Sequence, residues 1–100
     1  MRIAVASNGK TEQDTVCEIA GRAPFYLIFE DKKLVKTIKN PFKFGAGGAG
    51  IGVAQMLANE GVKLIIAGRV GQNMQAWLDS KNIKTKIVAE KSVKKAIEEV

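Results

Sequence analysis

The sequence Val62-Lys63-Leu64-Ile65-Ile66-Ala67 is an almost continuous apolar run, and it stops at the glycine turn Gly68-Arg69-Val70-Gly71. An apolar run of this length without polar alternation is typical of a parallel strand that is covered on both faces of its sheet. Parallel strands need long crossover connections, which are usually helices. Apolar residues at helical spacing occur on either side of the run, at residues 51–60 and 72–81. The region therefore predicts an α/β fold.

The remaining elements can be placed around this strand. The apolar residues 2–7 predict a buried strand that ends at the turn Ser7-Asn8-Gly9. Residues 24–30 and 34–39, joined by a short polar connection, predict an antiparallel hairpin. Residues 84–88 predict a last strand, and Ser92 is the predicted N-cap of a helix over 93–99. We expect one domain over residues 1–100, with a mixed five-stranded sheet (an antiparallel hairpin plus parallel strands) flanked by three helices.

The composition excludes several classes of function. The chain has 100 residues, no histidine and one cysteine, so it lacks the usual general base and cannot form an internal disulfide or a cysteine-rich metal site. We therefore expect a protein that is not an enzyme. No apolar segment approaches the roughly 18 residues of a membrane helix, and a cytoplasmic protein is expected.

The net charge of +6, from 16 Lys+Arg and 10 Asp+Glu, favours an anionic ligand or partner. Nucleic acid is a poor candidate for that partner. Aromatic residues do not interleave with the basic residues as they do on surfaces that stack bases.

A glycine-rich segment, Phe44-Gly45-Ala46-Gly47-Gly48-Ala49-Gly50, precedes the first predicted helix. A glycine loop that leads into a helix N-terminus can present backbone N–H groups to an anion, here those of Gly45, Gly47 and Gly48. The spacing matches the dinucleotide fingerprint, but no strand directly precedes it, and Gly68-Arg69 occupies the place of the expected acidic residue. A loop without a ligand, capping its helix, remains the structural alternative.

Two further candidates are a thiol and a pair of guanidinium groups. Cys17 and Arg22 are separated by four residues, whereas a phosphatase loop needs five, so a phosphatase is excluded. Cys17 is either a small buried apolar residue or a reactive thiol whose pKa a nearby arginine would lower. Arg22 and Arg69 each follow a glycine at a turn, and they either form salt bridges or bind an anion.

The order of elements resembles that of ribonuclease H, whose relatives bind two metal ions through carboxylates on core strands. The apolar runs at residues 3–6 and 64–66 contain no carboxylate. Nuclease chemistry of this type is therefore not expected.

Several segments together resemble a known family. They are the N-terminal strand at residues 1–6, Gly21-Arg22-Ala23-Pro24-Phe25-Tyr26, Asn40-Pro41, Gly47-Gly48-Ala49-Gly50-Ile51 and Leu64-Ile65-Ile66-Ala67-Gly68-Arg69-Val70-Gly71-Gln72-Asn73. In this combination the chain resembles the dinitrogenase iron–molybdenum cofactor biosynthesis family, which includes nitrogenase cofactor carrier proteins. The resemblance implies a ribonuclease H-like fold without nuclease activity. It also implies binding of an iron–sulfur or iron–molybdenum cluster, or a precursor, as a carrier.

The resemblance also indicates where this chain departs from its relatives. Many of them have Ser-x-His-Phe before Gly-Arg-Ala-Pro, and here Cys17 stands at the serine position and Ile19 at the histidine position. The family's candidate imidazole ligand is thus absent, and Cys17 would be the one covalent metal ligand. One thiolate cannot hold a cluster by itself. Either two chains share it, or binding is largely electrostatic, or this member has lost it.

The predicted binding set is therefore Cys17, Arg22, Gly45, Gly47, Gly48 and Arg69. Expected partners are a metal–sulfur cluster, proteins that donate or accept it, and a second copy of the chain. Two alternatives stay open: a sensor of small anions or phosphate ligands, and a protein-interaction module that has lost cluster binding.

Overall fold

The computed structural model describes residues 1–42 and 49–100, and in residue 49 only the backbone. The strands and helices are β1 (Arg2–Ser7), β2 (Phe25–Glu30), β3 (Lys33–Lys39), α1 (Ala49–Asn59), β4 (Val62–Ala67), α2 (Gln72–Ser80), β5 (Lys84–Ile87) and α3 (Val93–Glu98). Both runs that the sequence indicated most clearly, β1 and β4, have the predicted bounds. The other elements begin or end within two residues of the prediction, and α1 starts two residues early at Ala49.

The strands form one mixed sheet in the order β3-β2-β1-β4-β5. β1 pairs antiparallel with β2 and parallel with β4, and β4 pairs parallel with β5. The predicted five-stranded sheet with an antiparallel hairpin, parallel strands and three helices is confirmed. Because β1, β4 and β5 run in the same direction, their carboxyl ends lie at one edge of the sheet.

Both faces of the sheet are covered, which explains the unbroken apolar strands. Along β1, Ala4 and Ala6 join a core cluster with residues of α1 and α2, whereas Ile3 and Val5 join a second cluster with residues of α3. Successive strand residues point to opposite faces, so a strand between two helical layers needs apolar residues at every position.

Two glycines in α1 allow close packing. A Cβ on Gly50 would lie 3.1 Å from Cβ of Met74 in α2, and one on Gly52 would lie 2.9 Å from the ring of Phe42. These two positions thus have a packing reason to be glycine, independent of any ligand. Gly45, Gly47 and Gly48 lie outside the described residues, and the expectation that their amides bind an anion stays a prediction.

The structure adds one feature that the sequence did not predict. Residues within 15–19 form isolated bridges to Ser7, Ser92 and Arg69, and a short 3-10 helix follows at Ala20–Arg22. Such bridges depend on contacts distant in sequence, so no local pattern could have shown them.

No helix in the described part of the chain is long and apolar enough to cross a membrane.

Candidate functional site

Residues 16–19, called here the crossing segment, contain Cys17 and lie across the carboxyl ends of β1 and β4. Cys17 N–H donates to the Ala6 carbonyl at 2.7 Å, and the Cys17 carbonyl accepts from Gly68 N–H at 2.9 Å. Farther along, Ala20 N–H donates to the Arg69 carbonyl at 3.0 Å. These bonds hold the predicted thiol and the predicted Gly-Arg turn side by side at the edge where ligands of parallel sheets bind.

Gly68 is required by this crossing. A Cβ on Gly68 would lie 2.7 Å from Cα and 2.8 Å from the carbonyl oxygen of Glu18. These are backbone atoms, which cannot rotate away as the end of a side chain can. The glycine of the Gly68-Arg69 turn thus permits the close approach of the Cys17 segment.

The Cys17 side chain is half-buried and packs against the cluster on the α1 and α2 side of the sheet. Its Sγ lies 3.6 Å from the carbonyl oxygen of Ile19, to which the thiol donates. Ile19, at the position of the family's histidine, is 37% exposed. The chain bends at Glu18, between these two residues.

Tyr26 holds the end of the crossing segment through a hydrogen bond from its side chain. Its side chain is fully buried, and its hydroxyl donates to the carbonyl of Ala20. Burial raises the pKa of Tyr26 well above its ordinary value, and the neighbouring Cys17 raises it further. The phenol is therefore neutral at physiological pH and remains a hydrogen-bond donor.

Asn40 holds the Gly-Arg-Ala-Pro turn from the other side. Its buried Nδ2 donates to the carbonyls of Gly21 at 3.3 Å and Ala23 at 2.9 Å, while its Oδ1 accepts from Phe42 N–H at 2.8 Å. One amide side chain thus connects the end of β3 to the 3-10 helix that carries Arg22. An amide is suited to this place because it donates and accepts at once.

The two predicted arginines occupy different surroundings. Arg22 is exposed at the last residue of the 3-10 helix, and Arg69 is exposed at the rim of a cleft. The N–H groups of Cys17, Ala20 and Arg22 already donate to backbone carbonyls. These three amides are therefore not available to an anion.

The cleft beside Arg69 has a volume of about 540 Å³. Its polar lining consists of Asn8, Thr15, Glu18, Arg69 and Glu90. The turns after β1 and β4 were predicted from the sequence. Glu18 and Glu90 were not predicted as site residues, because they come from loops that only the fold brings together. Cys17 does not line the cleft.

A metal site built from protein ligands alone is absent from residues 1–42 and 49–100: no three Cys, Asp or Glu side chains there lie close enough together to share an ion. A metal–sulfur species bound here would bring most of its own ligands. The described residues would supply the Cys17 thiolate and positive charge, and both fit an anionic metal–sulfide species.

Comparison with solved structures finds close similarity. The apo form of the orange protein from Desulfovibrio gigas superposes with a TM-score of 0.90 at 28% identity, covering 97% of this chain and 83% of that one. A candidate NifB protein from Thermotoga gives a TM-score of 0.84 at 30% identity over 97% of this chain and 84% of that one. A candidate dinitrogenase from Methanocaldococcus jannaschii gives 0.63 at 17% identity, covering 97% and 84%, which supports the fold alone.

A search of curated proteins gives no match. The family described as dinitrogenase iron-molybdenum cofactor matches the chain over residues 1–100. The glycine and arginine turns that suggested this family lie, in the described part of the chain, around one edge of the sheet. The chain therefore belongs to the dinitrogenase iron–molybdenum cofactor family.

Proposed function

We propose that the protein binds and carries an anionic iron–sulfur or iron–molybdenum cluster, or a precursor of one, and performs no reaction on it. Family membership over the whole chain supports a role connected with such a cofactor. The observation that carries the proposal is the backbone pairing that holds the half-buried Cys17 beside the Gly68-Arg69 turn. The strand order is compatible with the ribonuclease H-like fold that the family resemblance implies.

Each predicted residue has a role in this proposal. Cys17 supplies the thiolate ligand, and the guanidinium groups of Arg22 and Arg69 attract the anionic cargo. Gly45, Gly47 and Gly48 supply N–H donors. Because one thiolate cannot hold a cluster by itself, the arginines and the glycine amides share in binding it. The resulting complex is labile, which suits a carrier that receives the cluster from one protein and releases it to another. A second copy of the chain would supply another thiolate.

The test is anaerobic loading of the apo-protein with a preformed iron–sulfur cluster, followed by desalting, iron analysis and absorption spectroscopy. We expect the wild type to retain iron and Cys17→Ser to lose most of it. A matched control moves the thiol by one residue: Cys17→Ser combined with Glu18→Cys keeps one cysteine but places it on the other side of the segment. Retention by this control equal to wild type, or equal retention by Cys17→Ser, would refute the role of Cys17.

A gain-of-function variant tests the same geometry. Ile19→His restores the imidazole of the family two residues from Cys17, whose thiol contacts the Ile19 carbonyl, so retained iron should rise and release to a chelator should slow. The exposed Ile87 on β5 offers a control: Ile87→His should leave retention unchanged.

The phosphate-sensor alternative gives the opposite pattern. It uses the glycine segment but not the thiol. Binding of a phosphate ligand that survives Cys17→Ser and is lost in Gly47→Val, without iron retention in the wild type, would favour the sensor over the carrier.

A further inference from the structure

The cleft at the carboxyl ends of β1, β4 and β5 is separate from the Cys17 side chain. Its apolar floor includes Val16 and Val88, which belong to the core cluster on the α3 side of the sheet, whereas Cys17 packs against the cluster on the α1 and α2 side. Val16 and Glu18 line the cleft while the residue between them does not. The crossing segment thus has one side for the thiol and another for the cleft.

The walls of the cleft are held in place by backbone hydrogen bonds. Val16 N–H donates to the Lys91 carbonyl at 2.9 Å, and Val93 N–H donates to the Asp14 carbonyl at 2.8 Å. On the strand side, Val88 N–H donates to the Ala67 carbonyl at 2.9 Å. A cleft whose walls are joined in this way is preformed, so a ligand need not bear the cost of ordering it.

Three charged groups surround the cleft without neutralising one another. Glu18, Arg69 and Glu90 are all exposed, and none of the ion pairs found among residues 1–42 and 49–100 includes any of them. Glu90 also adopts a left-handed backbone conformation, with φ of 58°, between β5 and α3. Two carboxylates and one guanidinium therefore face one space with their charges available to a ligand.

The uncharged groups that line the cleft indicate the size and polarity of a ligand that would fit it. Asn8 Nδ2 donates to Thr15 Oγ1 at 2.8 Å, which leaves the Asn8 carbonyl oxygen as an acceptor and the Thr15 hydroxyl as a donor. The apolar floor suits a short aliphatic chain. A volume of about 540 Å³ is in the range of small-molecule sites.

From this arrangement we propose that the cleft is a second binding site, for a small basic zwitterion of the amino-acid type. Its one carboxylate pairs with Arg69, its two cationic nitrogens pair with Glu18 and Glu90, and its aliphatic chain lies on the floor. The charges then match one for one, and a guanidinium is the side chain best suited to bind a carboxylate through two hydrogen bonds. A simple anion is a poor ligand inside the cleft, because the two carboxylates outnumber the guanidinium. The role of Arg69 toward an anionic cluster is therefore limited to long-range attraction from the rim, and the cluster itself does not occupy the cleft.

The experiment titrates the full chain with L-lysine and follows backbone amide shifts by NMR and heat by calorimetry. We expect saturable binding at low-millimolar concentration or below, with shifts at Asn8, Gly68 and Ala89. Cadaverine lacks the carboxylate and norleucine lacks the side-chain ammonium, so each should bind about 10-fold more weakly, the loss of roughly one charge-assisted hydrogen bond. Glutamate should not bind.

Variants connect the affinity to the named groups. Glu90→Gln should weaken lysine binding about 10-fold, while Glu98→Gln, an exposed carboxylate on α3 that does not line the cleft, should leave it unchanged. Arg69→Gln should make lysine and cadaverine bind equally, because the ligand carboxylate then has no partner. Absence of saturable lysine binding, or an unchanged affinity in Glu90→Gln, overturns the proposal.

Two further measurements separate this site from the carrier role. Glu90→Gln should take up the iron–sulfur cluster as the wild type does, and Cys17→Ser should bind lysine as the wild type does. Loss of both activities in both variants would mean that the cleft and the thiol form one site, which also overturns the proposal.

Discussion

Gly68 allows two segments that are far apart in sequence to touch. If residue 68 carried a Cβ, that atom would lie 2.7 Å from Cα of Glu18, so the chain at residues 16–19 would have to shift from its position across the ends of β1 and β4. From the sequence alone, Gly68-Arg69 was interpreted as a turn whose arginine either forms a salt bridge or binds an anion. The close approach is a separate reason for the glycine, and only the fold reveals it.

Gly68→Ala should therefore destabilise the protein by roughly 1–3 kcal/mol, the usual cost of forcing an extra carbon into a packed place. Gly71→Ala is the matched control, since a Cβ there meets nothing within 4 Å, and it should stay within about 1 kcal/mol of the wild type. Urea unfolding measures both. Equal stabilities for the two variants would show that residues 16–19 can shift away from residue 68 at little cost in free energy.

Tyr26 makes stability depend on alkaline pH. Because burial raises its pKa in the folded state, the neutral phenol contributes full stability below its ordinary pKa of 10.0, and this contribution declines as the pH rises above that value. The free energy of unfolding should fall by up to about 1.4 kcal/mol per pH unit in that range from this group alone.

Tyr26→Phe should lack this part of the pH dependence. It should also be less stable at neutral pH by about 1 kcal/mol, because the Ala20 carbonyl loses the phenol as a donor and keeps only the long hydrogen bond from Ala23 N–H at 3.4 Å. Denaturant unfolding between pH 8 and pH 11 provides the comparison. As Tyr26 is the only tyrosine, phenolate absorbance reports its titration directly. A phenol that titrates near pH 10 in the folded protein would contradict this account.

At the scale of elements, α3 is short, so its stability depends on the hydrogen bonds at its ends. It has six residues, and Ser92 Oγ accepts a hydrogen bond from Lys95 N–H at 3.1 Å, as predicted for an N-cap. The predicted cap is thus confirmed, because capping is a local property of residues three apart. The packing of α3 against the face of the sheet that holds Ile3 and Val5 required the tertiary structure.

Ser92→Ala should cost about 1 kcal/mol by removing the cap, whereas Ser92→Asp should preserve or increase stability, since a carboxylate caps the helix and faces the lysines of its first turn. Thermal unfolding ranks the three proteins. Equal melting temperatures for the alanine and aspartate variants would contradict this order.

At the scale of the whole molecule, stability should be uneven. β1 lies at the centre of the sheet, with β2 and β4 on either side and both faces buried. α3 is short, and three of its six residues are exposed. The hydrogen bonds of α3 should therefore open by local fluctuations that leave the sheet intact.

Native-state hydrogen exchange should show β1 amides exchanging only through global unfolding, with strong denaturant dependence. Amides of α3 should exchange at lower free energy with little denaturant dependence. If α3 and β1 share one exchange free energy, the helix unfolds with the sheet as a single unit.

The types and bounds of the strands and helices followed from the sequence, because apolar spacing, glycine turns and the Ser92 cap act between residues a few positions apart. The family also followed from it, through turn motifs that are contiguous in the chain. The tertiary structure alone decided how residues 15–19 add to the sheet, why Gly68 must lack a side chain, and that Glu18, Arg69 and Glu90 face one cleft while Cys17 lies on the other side. Those relations depend on contacts between residues up to 77 positions apart, such as Thr15 and Ser92. Hydrogen bonding and excluded volume determine such contacts only when the chain is folded.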